Sequence, residues 1–124
     1  GCQAECGSAA AMSAAAICEL FKAGPKACIN AVAITFKNVL GLVCDPVAGL
    51  VEVPCVKRNA SGVATAFMAA QLAISGIERK IPVDETILTM KSVGDKMCSS
   101  LKETAEGGLA VTPCGCALSK KLMV

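Results

Sequence analysis

Pro46 and Pro54 both fall in the stretch Cys44–Ala60, CDPVAGLVEVPCVKRNA. Proline removes a backbone donor and clashes with the preceding turn, so this stretch does not form one continuous helix. The segments on either side are long and apolar and read as buried helices. The same stretch carries two cysteines, Cys44 and Cys55, and ends in the polar group Lys57-Arg58-Asn59. A non-helical turn with thiols and cations, clamped between buried helices, is a place for a metal centre and an anionic substrate.

The 124 residues make one domain at most and are enough for a real core. The chain is 54% hydrophobic but only 2% aromatic, and alanine supplies much of the apolar count. Alanine is the best helix former and a poor strand former, so the expected fold is all-α. It is a compact bundle of about four to five helices, with a cysteine-bearing irregular turn between the central ones. The first helix is expected from Cys6 to Phe21 and is stopped by Gly24-Pro25. The second runs from Pro25 to Leu40 and should be central. The third runs from Arg58 to Ser75, with Gly76 as its cap. The fourth is expected to be capped by Asp84, with Ile87, Met90, Val93 and Met97 on its buried face. From Lys102 to Cys116, KETAEGGLAVTPCGC reads as a shaped loop, followed by a short last helix from Leu118. Leu50–Val53 is the weak strand candidate.

Charge is balanced at +2, which gives no reason to propose nucleic acid. Charged residues make up 18%, below the usual ~25%, and mean hydropathy is high for a soluble domain. Apolar faces are therefore expected to be covered by association. The longest uncharged run, Asn59–Ile77, approaches the ~20 residues that a spanning helix needs. Its alanines and its polar Asn59, Ser61, Thr65, Gln71 and Ser75 favour a buried helix over a membrane span. No secretory signal opens the chain. Nine cysteines do not pair evenly, so a reducing cytoplasm is the expected compartment.

Cys2, Cys44 and Cys55 are placed at helix edges, where thiolates from separate segments can converge on a metal. Their spacing matches neither ferredoxin nor paired-cysteine zinc patterns. On spacing alone, buried structural thiols are favoured over metal ligands. Cys114 and Cys116 are a weaker signal: further ligands, a redox pair, or neither. The chain has no histidine, which excludes the usual catalytic triads and imidazole ligation from this chain. A metal would be held mainly by sulfur, as in iron–sulfur clusters or zinc sites. Gln3, Glu5, Arg58 and Asn59 flank the cysteines, and Arg58 suits a carboxylate. They read equally as solvent-facing polar residues at helix starts. The glycines of EGGLA allow backbone N–H groups to approach an anion, though a plain turn is favoured.

Three segments, Gly1-Cys2-Gln3-Ala4-Glu5, Leu40–Ala60 and Glu103–Pro113, resemble the α chain or catalytic domain of the iron–sulfur-dependent L-serine dehydratases. The resemblance covers essentially the whole chain, and its middle motif is long and specific. It makes metal binding the leading reading. It implies an all-helical catalytic domain with a [4Fe–4S] cluster held by Cys2, Cys44 and Cys55, one iron being left open for L-serine. That iron activates the serine hydroxyl as a leaving group, and no pyridoxal phosphate is needed. Arg58 and Asn59 would then face the substrate, with Gln3 and Glu5 nearby.

The resemblance also implies that residues 1–124 are the C-terminal portion of the catalytic domain. The remaining catalytic sequence and a β subunit or domain are its expected partners, in a homo- or hetero-oligomer. The base that takes the α-proton is expected outside this chain, which alone should be nearly inactive. Two rivals stand: a cluster lyase acting on cysteine or threonine, and a non-catalytic helical module with buried thiols or structural zinc.

Overall fold

The structure, a computed structural model, describes residues 1–123. Five α-helices form the chain: α1 (Cys2–Leu20), α2 (Gly24–Val39), α3 (Cys55–Ile74), α4 (Val83–Lys96) and α5 (Pro113–Leu122). Short 3-10 turns occupy Val47–Gly49, Ser99–Leu101 and Gly108–Val111. Among the described residues there is no strand; Leu50–Val53 lies in turns, and the one sheet-like feature is an isolated parallel bridge between Cys44 and Lys102. Among the described residues no helix is long and apolar enough to cross a membrane.

Helices α1, α2 and α3 pack against one another. Their shared core is Ala14, Cys18, Ala27, Ala31, Ile34, Ala66, Ala69, Ala70 and Ala73. Methyl groups at nearly every contact let the helix backbones approach closely. Gly7 shows how closely: a Cβ there would lie 2.8 Å from the Val39 side chain. The outer line of α3, with Val56, Val63, Phe67 and Ile74, stays exposed.

The ends of α2 and α3 follow their signals. Pro25 sits in the first turn of α2. At the end of α3, Gly76 N–H donates to Ala73 O at 3.1 Å and Ile77 N–H to Leu72 O at 3.0 Å, the paired bonds of a Schellman cap. The connector after it is pinned to α2. Arg79 donates to Asn30 Oδ1 at 2.6 Å, and Lys37 Nζ donates to the Arg79 carbonyl.

Four expected boundaries are corrected. Helix α3 begins at Cys55, not Arg58, because the Pro54 carbonyl already accepts from the N–H groups of Lys57 and Arg58. Helix α1 begins at Cys2, not Cys6, because a distant carbonyl satisfies its first turn: Gln3 N–H donates to Leu42 O at 3.0 Å. Helix α4 is not capped by Asp84; its N-cap is Pro82, and Asp84 lies in the first turn. Its inward line is Thr86, Met90, Val93 and Met97, whereas Ile87 is exposed. Thr86 is tolerated inside because its hydroxyl donates to Pro82 O at 3.0 Å. Helix α5 starts at Pro113 rather than Leu118, with Pro at the first position and the Thr112 hydroxyl accepting from Gly115 N–H at 3.0 Å.

Candidate functional site

Cys2 and Cys55 are the first residues of α1 and α3, and Cys44 lies in the linker between α2 and α3. Each is held by its backbone surroundings. Beside Cys2, the buried Gln3 uses both ends of its amide. Its Nε2 donates to Met90 O at 2.8 Å, and its Oε1 accepts from Gly41 N–H at 3.0 Å. Gln3 thus ties the start of α1 to α4 and to the end of α2. Cys44 is fixed by the bridge to the later chain: its N–H donates to Leu101 O at 2.9 Å and its carbonyl accepts from Glu103 N–H at 3.0 Å. Cys55 opens α3 directly after Pro54, whose carbonyl accepts from the N–H groups of Lys57 and Arg58 at 3.1 Å each.

Arg58, in the first turn of α3, joins these pieces. Its Nη1 donates to Asp45 Oδ1 at 2.7 Å and Val43 O at 3.0 Å, and reaches Cys2 Sγ at 3.9 Å. The Asp45 side chain is only 3% exposed. Its second oxygen accepts from Leu109 N–H at 2.7 Å. The EGGLA backbone therefore does approach an anion, and the anion is the chain's own carboxylate. Gly108 makes that approach possible. Its φ is +61°, and a Cβ there would lie 2.4 Å from Asp45 Oδ2. Burial alone would lower the Arg58 pKa, but its hydrogen bond to Asp45, that carboxylate's charge and the Cys2 sulfur together raise it.

The thiols share one electrostatic environment. Cys44 is pushed up to about 12, first by burial, then by the Cys2 thiol, with Glu103 and Cys55 adding to it. Burial and Cys2 also raise Cys55, against the pull of Arg58. Cys6 is raised by burial, by Cys2, and by Glu5 and Cys55.

Among the described residues, no three Cys, Asp or Glu side chains are gathered tightly enough to hold a single metal ion. A multi-iron cluster is wider than one ion and takes its thiolates at separate corners. Cys2, Cys44 and Cys55 come from three separate segments, α1, the α2–α3 linker and α3.

The other expected residues divide. Asn59 and Glu5 line a groove of about 390 Å³ between α1 and α3, with Cys6, Ala10, Ser13 and Val63. Asn59 Oδ1 accepts from the Cys6 thiol at 3.2 Å. Gln3 does not join them; it is buried and bonded to backbone. Cys114 and Cys116 lie exposed on α5. Asp45 at this site escapes the sequence reading, and Cys6 reads from sequence only as a structural cysteine. Cys6 follows Cys2 by one helical turn, a signal that appears only when the helix starts at Cys2. Asp45 is an acid inside an apolar run, flanked by Cys44 and Pro46.

Fold and site together define an all-helical, sulfur-rich protein with thiols at the starts of α1 and α3 and in the linker before α3. A family model described as "Serine dehydratase alpha chain" matches residues 1–110, and the chain belongs to this family. It is 57% identical over 122 residues to a probable L-serine dehydratase alpha chain of Bacillus subtilis, covering 98% of this chain and 41% of that one. It is 53% identical over 115 residues to the L-serine dehydratase alpha chain of Peptoniphilus asaccharolyticus, covering 93% of this chain and 39% of that one. An L-serine dehydratase of Mycobacterium bovis is 46% identical over 113 residues, 90% of this chain and 24% of that protein. The chain thus spans less than half the length of each of these three relatives.

Proposed function

We propose that this chain forms part of an L-serine dehydratase and holds a [4Fe–4S] cluster through Cys2, Cys44 and Cys55. The observation that supports this most is the meeting of three thiols from α1, the α2–α3 linker and α3, in a chain whose relatives are named L-serine dehydratases. When bound, the cluster would supply a Lewis-acidic iron that makes the serine hydroxyl a better leaving group. The protein residues would bind and orient the substrate. Arg58 has five N–H donors, and its contacts run through Nη1, which leaves donors for the substrate carboxylate. Asp45 holds the guanidinium in place. Glu5 and Asn59, lining the groove, would take the amino group.

In the reaction the α-proton and the β-hydroxide leave the substrate as water. The resulting aminoacrylate becomes an imine, which water converts to pyruvate and ammonia. The proton acceptor belongs to the rest of the catalytic sequence, and that sequence, with a β subunit or domain, completes the enzyme in the cytoplasm. Alone, the 124-residue chain is expected to turn over little or no serine.

Anaerobic loading with iron and sulfide tests this, read by metal analysis, absorbance and EPR with and without L-serine. About four irons per chain are expected, lost in Cys44→Ala, with spectra perturbed by serine. Absence of a cluster in folded wild-type chain would sink the reading. Side-by-side assays of serine, threonine and cysteine on the complete enzyme define the substrate.

A further inference from the structure

Helices α1 and α3 pack side by side, and charge is missing from most of their length. Along α1 no charged residue stands between Glu5 and Glu19, and along α3 none stands between Arg58 and the helix end at Ile74. Val56, Ala60, Val63, Phe67 and Ile74 recur at helical spacing on α3, and all are exposed, Phe67 by 58%. Helix α4 differs: it leaves Asp84, Glu85, Lys91, Asp95 and Lys96 exposed. From Val56 to Ile74 the apolar strip on α3 is roughly 27 Å long at 1.5 Å per residue. An uncharged strip of that length suits the apolar face of another helix.

Two observations point to the occupant. The relatives extend well beyond the part that matches: the Bacillus subtilis protein aligns over 41% of its length and the Peptoniphilus asaccharolyticus protein over 39%. More than half of such a chain has to pack against something. The strip also runs into the groove between α1 and α3, since Val63 lines that groove together with Glu5 and Asn59. The proton acceptor of the proposed reaction comes from the remaining catalytic sequence, so that sequence has to reach this groove. A second copy of this chain lying on the strip would stand in its way.

We infer that the outer face of α3 is the seat of the remaining catalytic sequence, one apolar helix of which lies along Val56, Val63 and Phe67 and walls the groove. The inference rests on the reading of this chain as part of an L-serine dehydratase. It adds the side from which the substrate groove is closed. A charge placed at the centre of the strip would be buried without a partner once the helix is seated.

The test assembles this chain, by co-expression, with the unmatched part of the Bacillus subtilis relative. The photo-crosslinking residue p-benzoyl-phenylalanine replaces Phe67 or, as a control, Lys91. It is nearly the shape of phenylalanine, and position 67 is exposed, so the fold of the chain is undisturbed. Mass spectrometry of the irradiated complex should show crosslinks from position 67 to the added sequence, several-fold more abundant than from position 91. Phe67→Lys should lower co-purification of the two parts several-fold. Crosslinks from position 67 to a second copy of this chain, a complex crosslinked no better there than at position 91, or no complex at all overturns the inference. An active serine dehydratase with no crosslink at position 67 overturns it and leaves the functional reading standing. A complex crosslinked at position 67 that takes up no cluster and turns over no serine sinks the functional reading and leaves the docking face standing.

Discussion

From Cys2 to Ile74 the helices meet through methyl groups; from Val83 to Leu122 they are held by a few polar bonds. In the first region, Ala31, Ala66, Ala69 and Ala70 are fully buried and no single contact dominates. In the second, α4 packs chiefly on α2, while α5 rests on the turns at Val47–Gly49 and Gly108–Val111. The Asp45 bond to Leu109, the bridge at Cys44 and the Gln3 bond to Met90 tie this region to the first. Distributed packing fails everywhere at once, whereas point attachments fail one at a time. The candidate site sits on the seam, taking Cys2 and Cys55 from the packed region and the anchor of Cys44 from the attached one.

The sharpest way to break this comparison is Asp45→Ala. It strips Arg58 of its partner and leaves Leu109 N–H unsatisfied, and should cost about 3 kcal/mol. Amide exchange should speed up most in residues 97–112; equal acceleration throughout α1–α3 would contradict a point attachment. Ala69→Leu comes next. With no space at a fully buried methyl contact, it should cost roughly 1–3 kcal/mol in urea unfolding, spread over all three helices. A neutral result would mean that the alanine interface is looser than its burial indicates. Thr112→Ala removes one cap and should lower protection of α5 alone, by about 1 kcal/mol. Asp95→Asn breaks an exposed pair with Lys91, 2.6 Å long, and should leave the melting temperature unchanged. A clear drop would show that α4 depends on its surface charges.

The packed region was the more legible of the two. Alanine content, Pro25 and Gly76 mark α2 and α3 locally, and the structure places their ends close to those marks. The start of α1 was hidden because its Gln3 N–H finds a partner in Leu42, far along the chain. That one error also concealed Cys6, since its place on the face of Cys2 follows only from the true helix start. Along α4, apolarity favoured Ile87 over Thr86, but a threonine that bonds its own helix can face inward. Asp45 was illegible for another reason. Nothing near it in sequence indicates that its partners are Arg58 and the backbone of Leu109. The positions of Cys2, Cys44 and Cys55 at helix edges were readable, whereas their common environment is a property of the folded chain.

The bridge at Cys44 also sets an order of events during synthesis. Its two backbone bonds go to Leu101 and Glu103, and the neighbouring Asp45 reaches Leu109. A nascent chain that has released α1 to α3 already carries all three thiols of the proposed set. Arg58 already holds Val43 and Asp45 on either side of Cys44, but the backbone of Cys44 itself is still unpaired. The two backbone bonds of Cys44 and the second bond of Asp45 form only when residues 101–109 emerge from the ribosome.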